Sequence, residues 1–364
     1  DIQYKLAYAQ YVSGDEAAAL ENFKVLASRD EEIGQFSSYY LGEIYLKQEN
    51  LKYAATSLDK ARKDPYNDEI KEAATFKYAK VQYDLDRYPE AIEALEQFLT
   101  QYPQSKNKKE ADDLVSEAYL HTNNYTQAIK HLESLPDKSE RAQQAYQKVT
   151  YFKGTEYFNN GKYRNAVSMF ERSLQYPFDR EIIVLAHYWA AEAYSIGKKY
   201  PQAIDNYSAV VREAPTSQHD KYIKSRYGLG YAYYNTQQYP LALEQFAQYT
   251  KSAQRNRDKY FYDDALLRLA DCNYVLKNYA QAVSGYDQAI ARSSTEADYA
   301  YYQKGLILGI QGKAQAAKDN FKKVVRNFPQ SRFVDNAIFQ GAQLELEGGN
   351  YPAAINGYSQ LIKG

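Results

Sequence analysis

Residues able to do chemistry are sparse in this chain of 364 residues, and their spacing builds no reaction centre. The four histidines, His121, His131, His187 and His219, show no close metal-ligand spacing with one another or with Cys272, the single cysteine. His121 and His131 could approach across a helical hairpin, but a surface role suits each better. Gly228 and Gly230 resemble part of a phosphate loop without its third glycine, and Gly305 with Gly309 makes a GxxxG in a polar context; both pairs read as close packing. The adjacent carboxylates Asp263 and Asp264 have no nucleophile, base or oxyanion donor set beside them in the sequence. No enzyme activity, cofactor or metal is therefore expected. What the chain has in excess is tyrosine, 40 residues, and its chemistry is recognition: a flat apolar face plus a hydroxyl, held at little rotamer cost. Tyr227, Tyr231 and Tyr234 fall at i, i+4 and i+7, on one face of a helix.

The elements that must carry these rings repeat. A Tyr-x-x-Ala signature recurs every 35 to 40 residues, with its alanine at Ala19, Ala54, Ala91, Ala128, Ala166, Ala203, Ala242, Ala282, Ala317 and Ala354 and the tyrosine present in seven of the ten: Tyr88, Tyr125, Tyr163, Tyr200, Tyr239, Tyr279 and Tyr351. Each unit reads as two helices: in residues 225–249, Tyr227, Leu229, Tyr233 and Tyr234 precede the polar turn 235–238, and Leu241, Ala242, Leu243, Phe246 and Tyr249 follow it. Four prolines, Pro89, Pro201, Pro240 and Pro352, directly follow a signature tyrosine, where a helix's first turn does not need the missing N–H. The other six fall after second helices, and none is expected in a helix interior. Small residues (Gly42, Ala79, Gly154, Ala191, Gly230, Ala270, Gly305, Ala342) recur midway along first helices. Large ones (Phe23, Leu58, Leu95, Leu132, Phe170, Tyr207, Phe246, Tyr286, Phe321, Tyr358) recur four residues after the signature alanine, as knobs expected to enter the neighbouring unit. Truncating a buried Phe there should cost ~3–5 kcal/mol.

Composition narrows the partners. Lys plus Arg number 45 against 46 Asp plus Glu, so no global field draws in nucleic acid or an anionic membrane. The basic run Lys251, Arg255, Arg257 and Lys259 reads as charge complementing a helix C-terminus. The most apolar run, residues 182–194, is interrupted by His187 and Glu192 and is too short to span a bilayer, so no direct membrane insertion is expected. A lone cysteine fits a cytoplasm or a periplasm equally.

These units resemble tetratricopeptide repeats, whose pattern places small residues at the eighth and twentieth positions, an aromatic or Leu at the twenty-fourth and Pro near the thirty-second. The spacing here exceeds the family's usual ~34 residues, so longer loops are expected, for instance over 214–222 and 252–259. The endings Tyr102-Pro103-Gln104-Ser105 and Phe328-Pro329-Gln330-Ser331 resemble those of bacterial envelope repeat proteins, the Tol-Pal-associated and outer-membrane-assembly types, which implies a periplasmic or outer-membrane-associated location, with the cytoplasm as the alternative.

The resemblance implies an all-α, right-handed superhelical solenoid of ten repeats over residues 1–364, with first helices lining a concave groove through positions five, nine and twelve. Those positions carry an aromatic strip that includes Tyr151, Tyr188, Tyr227, Tyr231, Tyr234, Tyr274 and Tyr302. Two readings of each ring stay open, packing between first helices and contact with a ligand. Relatives that grip a terminal carboxylate use Lys at position five and Asn at nine. Here aromatics and residues such as Glu43, Lys80, Glu117 and Glu192 stand there, so that clamp is not expected. The function expected is a non-enzymatic scaffold holding a protein or peptide segment in the groove. Alternatives are a carbohydrate or small-ligand module on the same Tyr strip and a structural spacer in an envelope assembly. The chain reads as a segment of a longer one, and its last unit should expose an apolar edge at Ile355, Tyr358, Leu361 and Ile362 open to further repeats or to self-association.

Overall fold

The computed structural model describes residues 1–217, 219–253, 259–292 and 295–363, and within them every regular element is an α-helix. In chain order these are α1 Ile2–Ser13, α2 Glu16–Leu26, α3 Glu32–Lys47, α4 Leu51–Lys63, α5 Asp68–Asp84, α6 Tyr88–Gln101, α7 Lys108–Leu120, α8 Tyr125–Ser134, α9 Glu140–Asn159 and α10 Tyr163–Ser173. They continue with α11 Arg180–Ile196, α12 Tyr200–Glu213, α13 Asp220–Asn235, α14 Tyr239–Ser252, α15 Lys259–Val275, α16 Tyr279–Ala291, α17 Ala297–Ile310, α18 Ala314–Asn327, α19 Val334–Glu347 and α20 Tyr351–Lys363. Odd and even helices are the first and second arms of the repeats read from the sequence.

The hairpin turn between arms is set by local chemistry. One residue before the second helix's cap adopts φ between 55° and 88° in nine repeats: glycine at 14, 161, 312 and 349, but Glu49, Asp86, Lys198, Gln237 and Lys277 elsewhere. Side-chain oxygens of Asp15, Asn50 and Asn124 then accept from backbone N–H groups of the helix that follows. Pro89, Pro201 and Pro240 sit in the first turn of α6, α12 and α14, as expected.

Packing follows the small-and-large register. The signature alanines at 19, 54, 91, 128, 166, 203, 242, 282 and 317 have no exposed surface. The large residues four positions on are buried in nine repeats. They meet both their own hairpin and the next one: Leu58, Phe170, Phe246 and Phe321 lie on the small residue of their own hairpin, so a Cβ on Gly42, Gly154, Gly230 or Gly305 would stand only 2.5–2.7 Å from those side chains, while Tyr207 lies on Gly228, and Phe23 and Tyr286 meet Tyr40 and Tyr299, of the following hairpin. Tyr358, on the last described helix, is half-buried; Ile355 and Ile362 beside it are 64% and 84% exposed.

The long loops between repeats are tied down from inside the core. Gln35 on α3 donates to the carbonyls of Ala61 (3.0 Å) and Asp64 (2.7 Å) and accepts from the Asn67 N–H (2.7 Å). Gln147 on α9 does the same for Asp179, accepting from its N–H at 2.9 Å. At the same register Asp263 holds Arg292, and Asp298 accepts from Ser331 at 2.5 Å. The two amides satisfy loop backbone and the two carboxylates hold side chains at the end of the following helix or in the loop, so each polar group has a partner and each loop an anchor.

By contact density the chain forms two compact units. One holds Asp1–Gly161 and Ser168–Ile182, the other Lys162–Val167 and Ile183–Gly364. The expected loop over 214–222 is shorter than anticipated, since α13 begins at Asp220. Arg255 and Arg257 of the basic run lie outside the described residues. No described helix is long and apolar enough to cross a membrane.

Candidate functional site

Three of the seven tyrosines singled out in the sequence meet in the second unit. Tyr188, Tyr227 and Tyr231 line a cavity of about 540 Å³ closed by residues from α11 to α15. Helical spacing sets the wall: Tyr188 and Glu192 are four apart on α11, Tyr227 and Tyr231 four apart on α13. Phe261, at the start of α15, meets the Tyr227 ring edge-on at 5.4 Å, and Tyr231 meets it at 5.0 Å.

The floor is a tyrosine that the pattern marks only as a core knob. Tyr207 on α12 is 2% exposed, yet its hydroxyl reaches the cavity and donates to Glu192 Oε1 at 2.6 Å. Its ring passes over Gly228, where any Cβ would collide with it. The Glu192 charge also acts on Tyr188, four residues before it on α11. Burial first, then the Glu192 charge, pushes the phenol pKa of both tyrosines well above the usual value, so both stay protonated donors.

The opposite wall repeats that arrangement. Tyr227 and Tyr231 both donate to Asp264 Oδ2, at 2.8 and 2.5 Å, and burial together with the Asp264 charge raises both phenol pKa values. Behind Asp264, Arg268 pairs with it at 3.3 Å, with Asp271 at 2.6 Å and with Glu296, the residue that precedes α17, at 3.1 Å. Asp271, 3% exposed, also accepts from Tyr286 at 2.6 Å and Tyr299 at 2.9 Å. One polar network thus runs from the cavity wall on α13 to α17. Sequence periodicity showed Tyr227, Tyr231 and Tyr286, but neither Tyr299 nor the carboxylate partners, which lie 15 to 37 residues from the rings they hold.

The remaining tyrosines are elsewhere. Tyr234 turns from the cavity and meets Tyr239 edge-on at 5.5 Å. Tyr274 packs toward Tyr279 at 6.3 Å, and Tyr302 stacks on Phe333 at 5.3 Å with planes 17° apart. Tyr151 belongs to the first unit, 9% exposed, against Phe152 and Phe170.

Lys224 lines the cavity, and Lys221 lies against its wall residue Tyr188. Lys221 Nζ stands 4.4 Å from the Tyr188 ring centroid and 4.8 Å from that of Trp189, its pKa lowered mainly by burial. Lys224, exposed, pairs with Asp220 at 3.1 Å. Cys272 is buried and its thiol is pushed up to about 12, chiefly by desolvation, so at neutral pH it is an inert thiol. Among the described residues no three His, Cys, Asp or Glu side chains cluster as a metal site would require.

Tetratricopeptide-repeat family models match residues 73–105, 152–217, 227–298 and 298–331. Comparison with curated protein sequences gave no match. Among solved structures, YrrB, described as a TPR protein with an unusual peptide-binding site, is 15% identical, spans 63% of this chain and 98% of its own, and has a TM-score of 0.44. A MamA protein is 17% identical over 50% of this chain and 91% of its own, with a TM-score of 0.43. PilW, a type IV pilus biogenesis factor, is 17% identical over 59% and 91%, with a TM-score of 0.42. With paired helices carrying small and large residues in register, and family models matching both compact units, the chain is a tetratricopeptide-repeat protein.

Proposed function

We propose that this chain is a non-enzymatic scaffold that holds an extended or helical segment of a partner protein, and that the segment is gripped in the cavity formed by Tyr188, Tyr227 and Tyr231. Tetratricopeptide repeats generally serve protein–protein interaction, and the supporting observation is the cavity itself: about 540 Å³, walled by tyrosines whose hydroxyls are already oriented by Glu192 and Asp264. Rings fixed before a ligand arrives lose little entropy on binding. The repeat endings at 102–105 and 328–331 favour a partner in a bacterial envelope. The Tyr227→Ser, Tyr231→Ser double variant and the unaltered chain, used side by side as bait on envelope and cytosolic fractions, test this. A protein retained by the unaltered chain and lost by the variant, with far-ultraviolet dichroism unchanged, is expected. Equal retention would move binding away from this cavity.

A further inference from the structure

The geometry points to a specific occupant for the cavity: a basic side chain, lysine or arginine, of a polypeptide partner, with Glu192 as its counter-charge and Tyr188, Tyr227, Tyr231 and Phe261 as its walls. The inference rests on the scaffold reading above and gives that site its chemistry.

Two carboxylates border the tyrosine walls, and tyrosine hydroxyls hold each. Asp264 takes the hydroxyls of Tyr227 and Tyr231, Glu192 that of Tyr207, and the Glu192 charge also acts on Tyr188 four residues before it. The first assembly is completed by a cation, Arg268, seated on Asp264 at 3.3 Å. The second is not: among the described residues no lysine or arginine forms an ion pair with Glu192. A partly buried carboxylate is costly without a counter-charge, and neutral hydroxyls supply only part of one. A ligand cation beside Glu192 would do there what Arg268 does beside Asp264.

The nearby basic groups leave that place open. Lys224 is drawn to Asp220 at 3.1 Å, and Lys221, at 3.7 Å from the same carboxylate, rests on the faces of Tyr188 and Trp189. Lys221 feels the Glu192 charge but forms no ion pair with it. The Lys221 placement also shows that ring faces at this wall accept an ammonium, as cation–π attraction requires. Tyr227, Tyr231 and Phe261 present further faces, and the volume of about 540 Å³ takes a long side chain with the backbone that carries it.

The test begins with a random peptide library displayed on phage and panned against the whole chain. Selected peptides are expected to share a Lys or Arg at one position. In a direct titration, replacing that Arg by citrulline, or that Lys by norleucine, should weaken binding to the unaltered chain ~10- to 100-fold, the range of one charge-assisted contact. Because this comparison uses the unaltered protein, it does not depend on any variant folding. Glu192→Gln should weaken the basic peptide by a similar factor and leave the citrulline peptide where it was. Selected peptides that need no basic residue, yet are lost on Tyr227→Ser, would overturn the anchor and leave the scaffold reading standing. A library that yields no binder would overturn both. Arginine amide binding as tightly as the peptide would overturn the polypeptide partner in favour of a small cation.

Discussion

Gly228 and Tyr207 are in direct contact: a Cβ at 228 would lie 2.4 Å from the Tyr207 Cζ. The missing side chain lets the ring of α12 reach past α13, and the hydroxyl at its end holds Glu192 at 2.6 Å. One glycine thereby connects hairpin packing to the electrostatics of the cavity.

Gly228→Ala should accordingly cost ~1–3 kcal/mol, because the buried ring must leave its rotamer or push α13 outward. Gly341 on α19 is the matched control, helical and with nothing within 4 Å of its added Cβ. Gly341→Ala should stabilise by ~0.5–1 kcal/mol through helix propensity. Urea unfolding of the two variants against the parent reads both signs; equal effects would mean that the Gly228–Tyr207 contact carries no strain.

Asp271 is the hub of the network that leads away from the cavity. With Tyr286, Tyr299 and Arg268 all directed at it and 3% of its surface exposed, Asp271→Ala leaves a buried guanidinium short of one partner and two phenols without acceptors. A loss of ~3–5 kcal/mol is expected. Thermal unfolding measures it, and a loss below that of an ordinary surface substitution would show that Asp264 and Glu296 suffice for Arg268.

Acid should weaken the fold through two histidines. Burial is the leading cause that lowers the pKa of both His131 and His187 below the ordinary 6.5, against the opposing pull of Asp112 and Glu96 on the first and the Asn206 hydrogen bond on the second. A native pKa below the unfolded one means that the unfolded chain takes up protons first. Stability is therefore full above pH 6.5 and declines as pH falls through that value toward the lowered native pKa. His131 Nε2 is buried without a hydrogen-bond partner, so a proton added there meets no acceptor at that nitrogen. In His131→Gln, His187→Gln the slope of unfolding free energy between neutral pH and that range should flatten; an unchanged slope would assign the acid response to carboxylates.

Much of this was legible before any coordinates. The ten signature alanines, the prolines at helix starts and the alternation of Gly or Ala with Phe or Leu at a fixed offset each report one hairpin, and period plus steric size is enough to place them. Gly228 and Gly230 were readable as packing glycines for the same reason. Tyr227 and Tyr231 were legible as neighbours because helical spacing puts i and i+4 on one face, whereas Tyr188, on α11, comes beside them through the stacking of successive hairpins. Tyr234 fits the same spacing, yet meets Tyr239 at the hairpin turn, since a ring near a helix end is taken by whichever neighbour the turn brings over it.

The sequence by itself determined the repeat, the helix boundaries set by proline and caps, and the aromatic content of the first helices, because these depend on interactions a few residues apart. Tertiary structure alone decided which tyrosines face an open space and which charges stand behind them. The partners of Tyr227 and Tyr207, Asp264 and Glu192, lie 37 and 15 residues away, and whether a carboxylate at such a distance is met by Arg268 or left for a ligand follows from how successive hairpins stack. A charge interaction depends on separation in space, and no periodicity in the chain encodes that.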